Sequence, residues 1–91
     1  MEHYVVLANI TRRGHMSSTT PHDHATIFDT CAKAFDCSIQ QLRRTLGPYD
    51  YVALVAAPDA KKMAGFSLAL GTSDALKTLT LPCVQNGATE L

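Results

Sequence analysis

The chain has 91 residues, of which 46% are hydrophobic and 18% charged, and its eight basic and eight acidic side chains give a formal net charge of zero. This length predicts one small domain with a thin core. The basic doublets are not interleaved with aromatic residues, so we expect no nucleic-acid partner. Charges or prolines interrupt every apolar run before the roughly 20 residues of a membrane span, so we expect no membrane partner either.

The cysteines indicate a reducing compartment. Cys31, Cys37 and Cys83 are odd in number and have no Cys-x-x-Cys spacing, and the first residues show no secretory signal pattern. We therefore expect a cytoplasmic protein. Cys31 falls on the apolar stripe of a helix and Cys83 late in a strand, so packing explains both better than redox chemistry does.

In chain order, the first element is a strand over Tyr4–Thr11, predicted by its β-branched and apolar residues. Thr20 as a cap and Pro21 at the first helical position predict that a helix begins there. Its apolar positions recur at steps of three and four residues and form one stripe: Ile27, Phe28, Cys31, Ala34 and Phe35. Residues 38–46 alternate imperfectly and predict a partly exposed second strand, with Leu42 and Leu46 on one face and Ile39, Gln41, Arg43 and Thr45 on the other.

A hairpin follows, because Gly47 permits unusual backbone angles and Pro48 suits an early turn position. The third strand, Tyr51–Ala57, is apolar on both faces. Asp59 predicts the cap of a second helix over Ala60–Leu70, with an inward stripe of Met63, Ala64, Ser67 and Leu68 and a left-handed Gly71 after it. Clean alternation predicts the last strand over Leu76–Leu81, and we expect residues 84–91 to form a loosely ordered tail.

The order β-α-β-β-α-β predicts an α+β domain over residues 1–83, with a four-stranded antiparallel sheet and both helices on one face. The first and third strands would be central, and both are apolar on two faces. A second copy is the simplest cover for the uncovered face. We therefore expect a homodimer through the sheet faces, and a higher oligomer is left open.

Four segments carry a family resemblance: Tyr4-x-x-Leu7-x-x-x-Thr11-x-x-Gly14, Thr45-Leu46-Gly47-x-Tyr49-Asp50, Ala57-Pro58-Asp59 and Thr78-x-Thr80-Leu81. With them the chain resembles the GYD-domain family of small bacterial proteins, named for the Gly-x-Tyr-Asp turn. The resemblance implies a ferredoxin-like fold of the dimeric α/β-barrel kind, whose wider relatives include monooxygenases, isomerases and haem-handling proteins. The chain departs from the family pattern at Ala56, where an acidic residue is common, and at Asp36-Cys37, where a Gly is common.

Tyr49 and Asp50 are the candidate catalytic pair, since a phenol and a carboxylate in a cleft can donate a hydrogen bond and accept a proton. The alternative is structural, with Asp50 capping backbone N–H groups and Tyr49 packing under the hairpin. His22 and His24 resemble a metal-ligand pair, but two residues apart on a helix they point in different directions. We predict no metal site and no cofactor, without excluding haem or a metal, and we interpret His15 and His22 as surface residues flanking a flexible segment.

Strand alternation predicts a second set of site residues. If Val6, Ala8 and Ile10 face the helices, Asn9 faces the opposite side. We expect the other ligand-binding candidates on that side as well: Arg43, Tyr51, Thr78 and Thr80. An apolar pocket with a few convergent polar groups suits a small organic ligand. The competing interpretation is that these polar groups satisfy one another inside the dimer interface.

Two classes of function therefore stay open. In the first, the sheet faces enclose a small-molecule pocket, and the protein is a ligand carrier or a cofactor-free enzyme. In the second, the dimer is a packed structural or interaction module without catalysis. A cavity of about 300 Å³ or more on the inner face would favour the first class. The sequence alone does not decide whether the protein is an enzyme.

Overall fold

The computed structural model describes residues 2–12, 21–73 and 75–84, with only the backbone for residues 21 and 22. Six elements follow one another in the predicted order. They are β1 (Glu2–Ile10), α1 (Pro21–Ala34), β2 (Ser38–Arg44), β3 (Tyr51–Ala57), α2 (Ala60–Thr72) and β4 (Leu76–Pro82). Of the predicted features, His15, Thr20 and nearly all of the C-terminal tail lie outside the described residues.

The four strands form one antiparallel sheet in the order β2-β3-β1-β4, so β1 and β3 are central, as predicted. In β1, Val6 pairs with Ala53 of β3 on one side and with Thr80 of β4 on the other. Directly opposed residues of antiparallel strands project to the same face of the sheet. The pairing therefore assigns every residue of the central strands to one of two faces.

One face of the sheet carries the core. Tyr4, Val6 and Ala8 of β1 are buried, and so are the β3 residues that share their face. The helices cover this face with the buried side chains of Phe28, Phe66 and Leu70. Two helices on one face of an antiparallel sheet give the predicted α+β architecture, and the other face has no helix against it.

The helix ends follow from local chemistry. Asp59 caps α2 by accepting a hydrogen bond from the Lys62 N–H at 2.7 Å. At the end of α1, Asp36 adopts the left-handed conformation with φ 56°, and the Cys37 N–H donates to the Ala32 carbonyl at 2.9 Å. A hydrogen bond from residue i+5 back to residue i is typical of the Schellman motif, in which the residue that follows the helix is left-handed. Asp36 thus occupies a position that favours glycine, near the place where the family commonly has one.

Two predictions about α2 were wrong, the first of them only in part, because Met63 is buried as predicted. Its buried side chains are Met63, Phe66 and Leu70, whereas Ala64 is exposed and Leu68 is 71% exposed. Nearly every position from Met63 to Leu70 is apolar or small, so helical periodicity alone did not select the buried face. Gly71 does not take a left-handed conformation, because the helix continues through it to Thr72 and the Ser73 N–H donates to the Leu70 carbonyl.

The prediction for β2 was also wrong in part. A bulge between Ile39 and Gln41 shifts the register, so Ile39 pairs with Val55 and Leu42 pairs with Ala53 on the same, helix-covered face. The strand ends at Arg44, and Leu46 is completely exposed in the connection to β3. Gly47 holds φ 110° in this connection, which confirms the predicted need for glycine.

Cys83 follows β4 and is exposed, whereas Cys31 on α1 is half-buried. The expectation that Cys83 packs was therefore wrong, because this residue lies past the last residue of β4, Pro82, where only its backbone N–H bonds to β1, at the His3 carbonyl. No helix in residues 2–12, 21–73 and 75–84 is long and apolar enough to cross a membrane.

Candidate functional site

The face of the sheet away from the helices, called here the open face, carries an aliphatic strip along its centre and its β4 edge. The strip consists of Val5, Leu7, Val52, Leu54, Leu79 and Leu81, and the register also assigns to this face Ala56 and the polar residues His3, Asn9, Ser38, Gln41, Arg43 and Lys77. The central members are half-buried, and on the β4 edge Leu79 and Leu81 are 47% and 43% exposed. The open face thus carries an aliphatic strip with polar groups towards its ends. The hydrophobic core lies on the opposite, helix-covered face of the sheet.

A cavity of about 320 Å³ lies at one end of the open face. Asn9 of β1, Tyr49 of the connection before β3, and Lys77, Thr78 and Leu79 of β4 line it. Asn9 and Lys77 are directly opposed in the antiparallel register, so an amide and an ammonium group lie side by side on this face. The cavity therefore combines an aliphatic wall with hydrogen-bonding groups, as small-molecule sites do.

Asp50 fastens the end of β1 to the start of β3. Its carboxylate Oδ2 accepts a hydrogen bond from the Ile10 N–H at 2.8 Å, and its own N–H donates to the Ala8 carbonyl at 2.9 Å and to Asn9 Oδ1 at 3.1 Å. The Asp50 carbonyl also accepts from the Thr45 N–H at 2.8 Å. These contacts are those of a structural cap, and Asp50 is not among the residues that line the cavity.

Tyr49 has a different position from Asp50. Its carbonyl accepts a hydrogen bond from the Thr45 hydroxyl at 2.6 Å, and its side chain is half-buried at the cavity. Within the part of the chain that the structure describes, the Tyr49 hydroxyl has no hydrogen-bond partner. The two members of the candidate pair therefore have different roles. Asp50 forms hydrogen bonds with the backbone, whereas the Tyr49 hydroxyl can still bind a ligand.

Tyr51 lies on the helix-covered face, opposite the side predicted for it. It is 3% exposed, and its hydroxyl lies 2.8 Å from His24 Nδ1 of α1, with the His24 ring edge-on to the phenol. Burial, followed by the charge of Asp50, raises the pKa of Tyr51, and the Arg44 guanidinium lowers it in part. Tyr51 is therefore a protonated, buried member of the core at neutral pH.

The threonines were also assigned to the wrong face. Thr78 pairs with Ala8 and Thr80 pairs with Val6, so both project towards the helices. Thr80 Oγ1 lies 2.8 Å from Ser67 Oγ of α2, which satisfies both hydroxyls under the helix. The leucines of β4 consequently occupy the open face, although alternation alone would favour burying them. Thr78 still lines the cavity from its place between Lys77 and Leu79.

The two remaining ligand-binding candidates are on the predicted face. Asn9 lines the cavity, whereas Arg43 is exposed on β2, opposite Val52 and away from the cavity lining. Ala56, which stands where the family commonly has an acidic residue, also belongs to this face because it pairs with His3 and Ser38. A carboxylate at position 56 would therefore project from the open face, and this chain has a methyl group in its place.

Metal and thiol chemistry have little support in residues 2–12, 21–73 and 75–84. No three His, Cys, Asp or Glu side chains come together there in an arrangement that could hold a metal ion. Burial raises the pKa of the Cys31 thiol, and burial with the nearby Asp36 and Asp59 carboxylates raises that of Cys37. A raised pKa keeps a thiol protonated and unreactive at neutral pH.

Sequence reasoning missed Lys77 and Leu79 as cavity residues and His24 as a buried residue. Neither Lys77 nor Leu79 had a signal in the sequence, because the face of each β4 residue depends on the register of β4 with β1. His24 was considered only as one of a possible ligand pair. Its position three residues before Ile27 and four before Phe28 placed it next to the apolar stripe of α1.

A four-stranded antiparallel sheet in the order β2-β3-β1-β4, with both connecting helices on one face, defines a ferredoxin-like α+β domain. The open face with a cavity at one end is the feature that this fold leaves available for function. The model of the GYD domain matches residues 4–89 of this sequence. The chain therefore belongs to the GYD-domain family.

Solved structures support the fold. The chain superposes on B. subtilis LrpC with a TM-score of 0.67 at 17% identity, and on the Mycobacterium tuberculosis leucine response regulatory protein LrpA with a TM-score of 0.65 at 13% identity. These matches cover 98% and 94% of this chain but only 54% and 52% of the two others, so the chain spans about half their length.

A match of similar length is TTHA0845 from Thermus thermophilus, with a TM-score of 0.60, 18% identity, and coverage of 94% of this chain and 96% of that one. Identities this low show a shared fold only. A comparison of the sequence with curated proteins finds no match.

Proposed function

We propose that this protein is a homodimer that pairs its open faces and binds a small organic molecule in the cavity at Asn9, Tyr49 and Lys77. The observation that carries the proposal is the cavity itself. Its volume of about 320 Å³ lies at the lower end of the range for ligand sites, and it combines the aliphatic wall of Leu79 with polar side chains from Asn9, Tyr49, Lys77 and Thr78. The ligand that fits is correspondingly small.

The exposed leucines support the pairing of the open faces. Leu79 and Leu81 are each more than two-fifths exposed on a sheet face that also carries Val5, Leu7, Val52 and Leu54. A contiguous aliphatic face of this kind on a small domain marks an interaction surface. A second copy of the chain offers the same aliphatic face, as a two-fold interface requires. The same arrangement would place the partner's sheet across the mouth of the cavity.

A role without a ligand is the alternative, and one observation favours it. The Asp50 carboxylate, which is the candidate proton acceptor of the Gly-x-Tyr-Asp turn, is engaged with the Ile10 N–H. A turn whose acidic group holds two strands together needs no substrate to explain it. In this alternative the dimer is an interaction module with a filled interior, and the cavity closes when the two sheets pack.

Two measurements on the full chain separate these possibilities. Native mass spectrometry gives the oligomer mass and shows any retained molecule, and we expect the mass of a dimer. Amide chemical shifts recorded during a screen of small neutral and charged fragments locate binding. We expect shifts at Asn9, Tyr49, Lys77 and Leu79. A dimer in which no fragment moves these amides would contradict ligand binding and support the interaction module.

A further inference from the structure

The hydrogen-bonding groups around the cavity are mainly donors. The oxygen of the Asn9 side chain accepts a hydrogen bond from the Asp50 N–H at 3.1 Å. This contact fixes the orientation of the amide, because an N–H group requires the oxygen rather than the nitrogen as its partner. What Asn9 can offer a ligand is therefore its NH₂ group, which has two donors.

Lys77 adds a positive charge beside this amide. It is opposed to Asn9 across the β1–β4 pair and lines the same cavity. Within the described residues it forms no ion pair, whereas Lys33 and Lys62 pair with Asp29 and Asp36. An ammonium group has three donors and no acceptor, so it too calls for an acceptor on the ligand.

The rest of the lining completes the pattern. Tyr49 brings a hydroxyl that has no partner in the described part of the chain, and Leu79 brings an aliphatic wall. Among the described residues that line the cavity, none is acidic. The nearest acidic group along the chain, Asp50, already accepts a hydrogen bond from the Ile10 N–H. The cavity is thus suited to a group that only accepts hydrogen bonds.

We infer that the cavity binds a small organic carboxylate with an apolar body. The carboxylate meets the Lys77 ammonium and the Asn9 amide N–H₂, and the apolar body packs on Leu79. A carboxylate offers about four acceptor sites and no donor, which matches the lining. The inference rests on the proposed function, because it names the class of ligand for the same cavity.

Three probes of similar size and different charge test the inference: phenylacetate, its neutral amide phenylacetamide, and the cation phenethylamine. Each is titrated into the full chain while the amide shifts of Asn9, Tyr49, Lys77 and Leu79 are followed. We expect phenylacetate to bind about two- to fivefold more tightly than phenylacetamide, the discrimination that one exposed ion pair can provide, and phenethylamine to bind most weakly.

Lys77→Met removes the charge and keeps the length of the side chain. It should abolish the preference for phenylacetate, so that phenylacetate and phenylacetamide bind this variant with similar affinity. The matched control is Lys61→Met, on the exposed side of α2, which should keep the preference. Thermal melts check that both variants fold.

The outcomes distinguish the carboxylate inference from the more general proposal that the cavity binds a ligand. If phenylacetate and phenylacetamide bind equally, or if phenethylamine binds more tightly, the inference of a carboxylate ligand is wrong. The cavity would still be a ligand site. A preference that survives Lys77→Met would overturn the role of Lys77. If none of the three probes moves the cavity amides, the carboxylate inference and the ligand-binding function both fail.

Discussion

Two of the described residues have a left-handed backbone conformation, Gly47 before β3 and Asp36 after α1. Glycine adopts this conformation without strain, whereas aspartate does not. Gly47 has φ 110° in the connection between β2 and β3, with nothing within 4 Å of a Cβ built on it. Substitution therefore tests backbone conformation without a steric clash. We expect Gly47→Val to lower the free energy of unfolding by about 1–3 kcal/mol.

Chemical denaturation measures this change, and Leu46→Ala at the neighbouring, fully exposed position is the control that should leave stability unchanged. An unaltered denaturation midpoint for Gly47→Val would mean that the turn can adopt another conformation at no cost.

Asp36 is the opposite case, because a residue with a Cβ holds φ 56° at the end of α1. Asp36→Gly should raise the free energy of unfolding by about 0.5–1 kcal/mol, since glycine adopts this conformation without strain. The ion pair with Lys62, at 3.3 Å between exposed groups, subtracts little from this gain. Asp36→Asn removes the same ion pair while keeping the Cβ, so it should not stabilise. If both variants were equally stable, the left-handed position would not be the cause.

Asp50 is the residue where a structural and a catalytic role can be told apart. Asp50→Ala leaves the Ile10 N–H without its acceptor and should cost about 1–3 kcal/mol of unfolding free energy. Asp50→Asn keeps an acceptor oxygen and should lose about 1 kcal/mol or less. Equal stability of all three proteins would contradict the capping role and return Asp50 to the candidates for proton transfer.

At the scale of elements, the sequence predicted the order of the strands and helices, and it predicted the bounds of the strands and of α2 to within about two residues, because turn residues and caps act locally. Pro21 and Asp59 both begin helices, and Gly47 lies in the hairpin as expected. The faces were harder to predict. Which side of β4 is buried depends on the register with β1, and that register is set by contacts between distant parts of the chain.

For the candidate site too, features set within one strand were predicted correctly, whereas features set by strand pairing were not. Asn9 was placed correctly from the alternation of one strand, whereas Tyr51, Thr78 and Thr80 were misplaced because each required the register of a second strand. The hydrogen bond of Thr80 with Ser67 explains how a polar residue is accommodated where a leucine was expected. Tertiary partners of this kind leave no periodic signal in a sequence.

The connection between α1 and β3 gives a prediction at this scale. The Tyr51 hydroxyl and His24 Nδ1 are buried at 2.8 Å from each other, so Tyr51→Phe removes one partner of a buried contact. We expect a loss of about 1–3 kcal/mol in unfolding free energy, measured by chemical denaturation. Tyr49→Phe is the matched control, because it deletes a hydroxyl that has no partner among the described residues and should be neutral. Equal losses in the two variants would show that the His24 contact adds nothing specific.

At the scale of the whole molecule, the open face explains why a domain with a complete core should associate. The core side chains lie on the helix-covered face, and the aliphatic strip on the other face is left half-exposed by one copy of the chain. Covering such a strip removes apolar area from water at about 25 cal/mol per Å², without disturbing the first core. A homodimer should therefore melt at a temperature that rises with protein concentration.

Leu79→Lys tests the dimer directly. Leu79 is 47% exposed on the open face, so a lysine is tolerated in a single copy but would carry a charge into the interface between two sheets. We expect the parent protein to sediment as a dimer at micromolar concentration and Leu79→Lys to sediment as a folded monomer. Leu68→Lys, on the exposed side of α2, makes the same substitution at a position that is 71% exposed and should remain dimeric. A parent protein of monomer mass, or a Leu79→Lys variant that stays dimeric while Leu68→Lys dissociates, would contradict pairing through the sheets. The second of these results would move the interface to the helices and leave the cavity open to solvent.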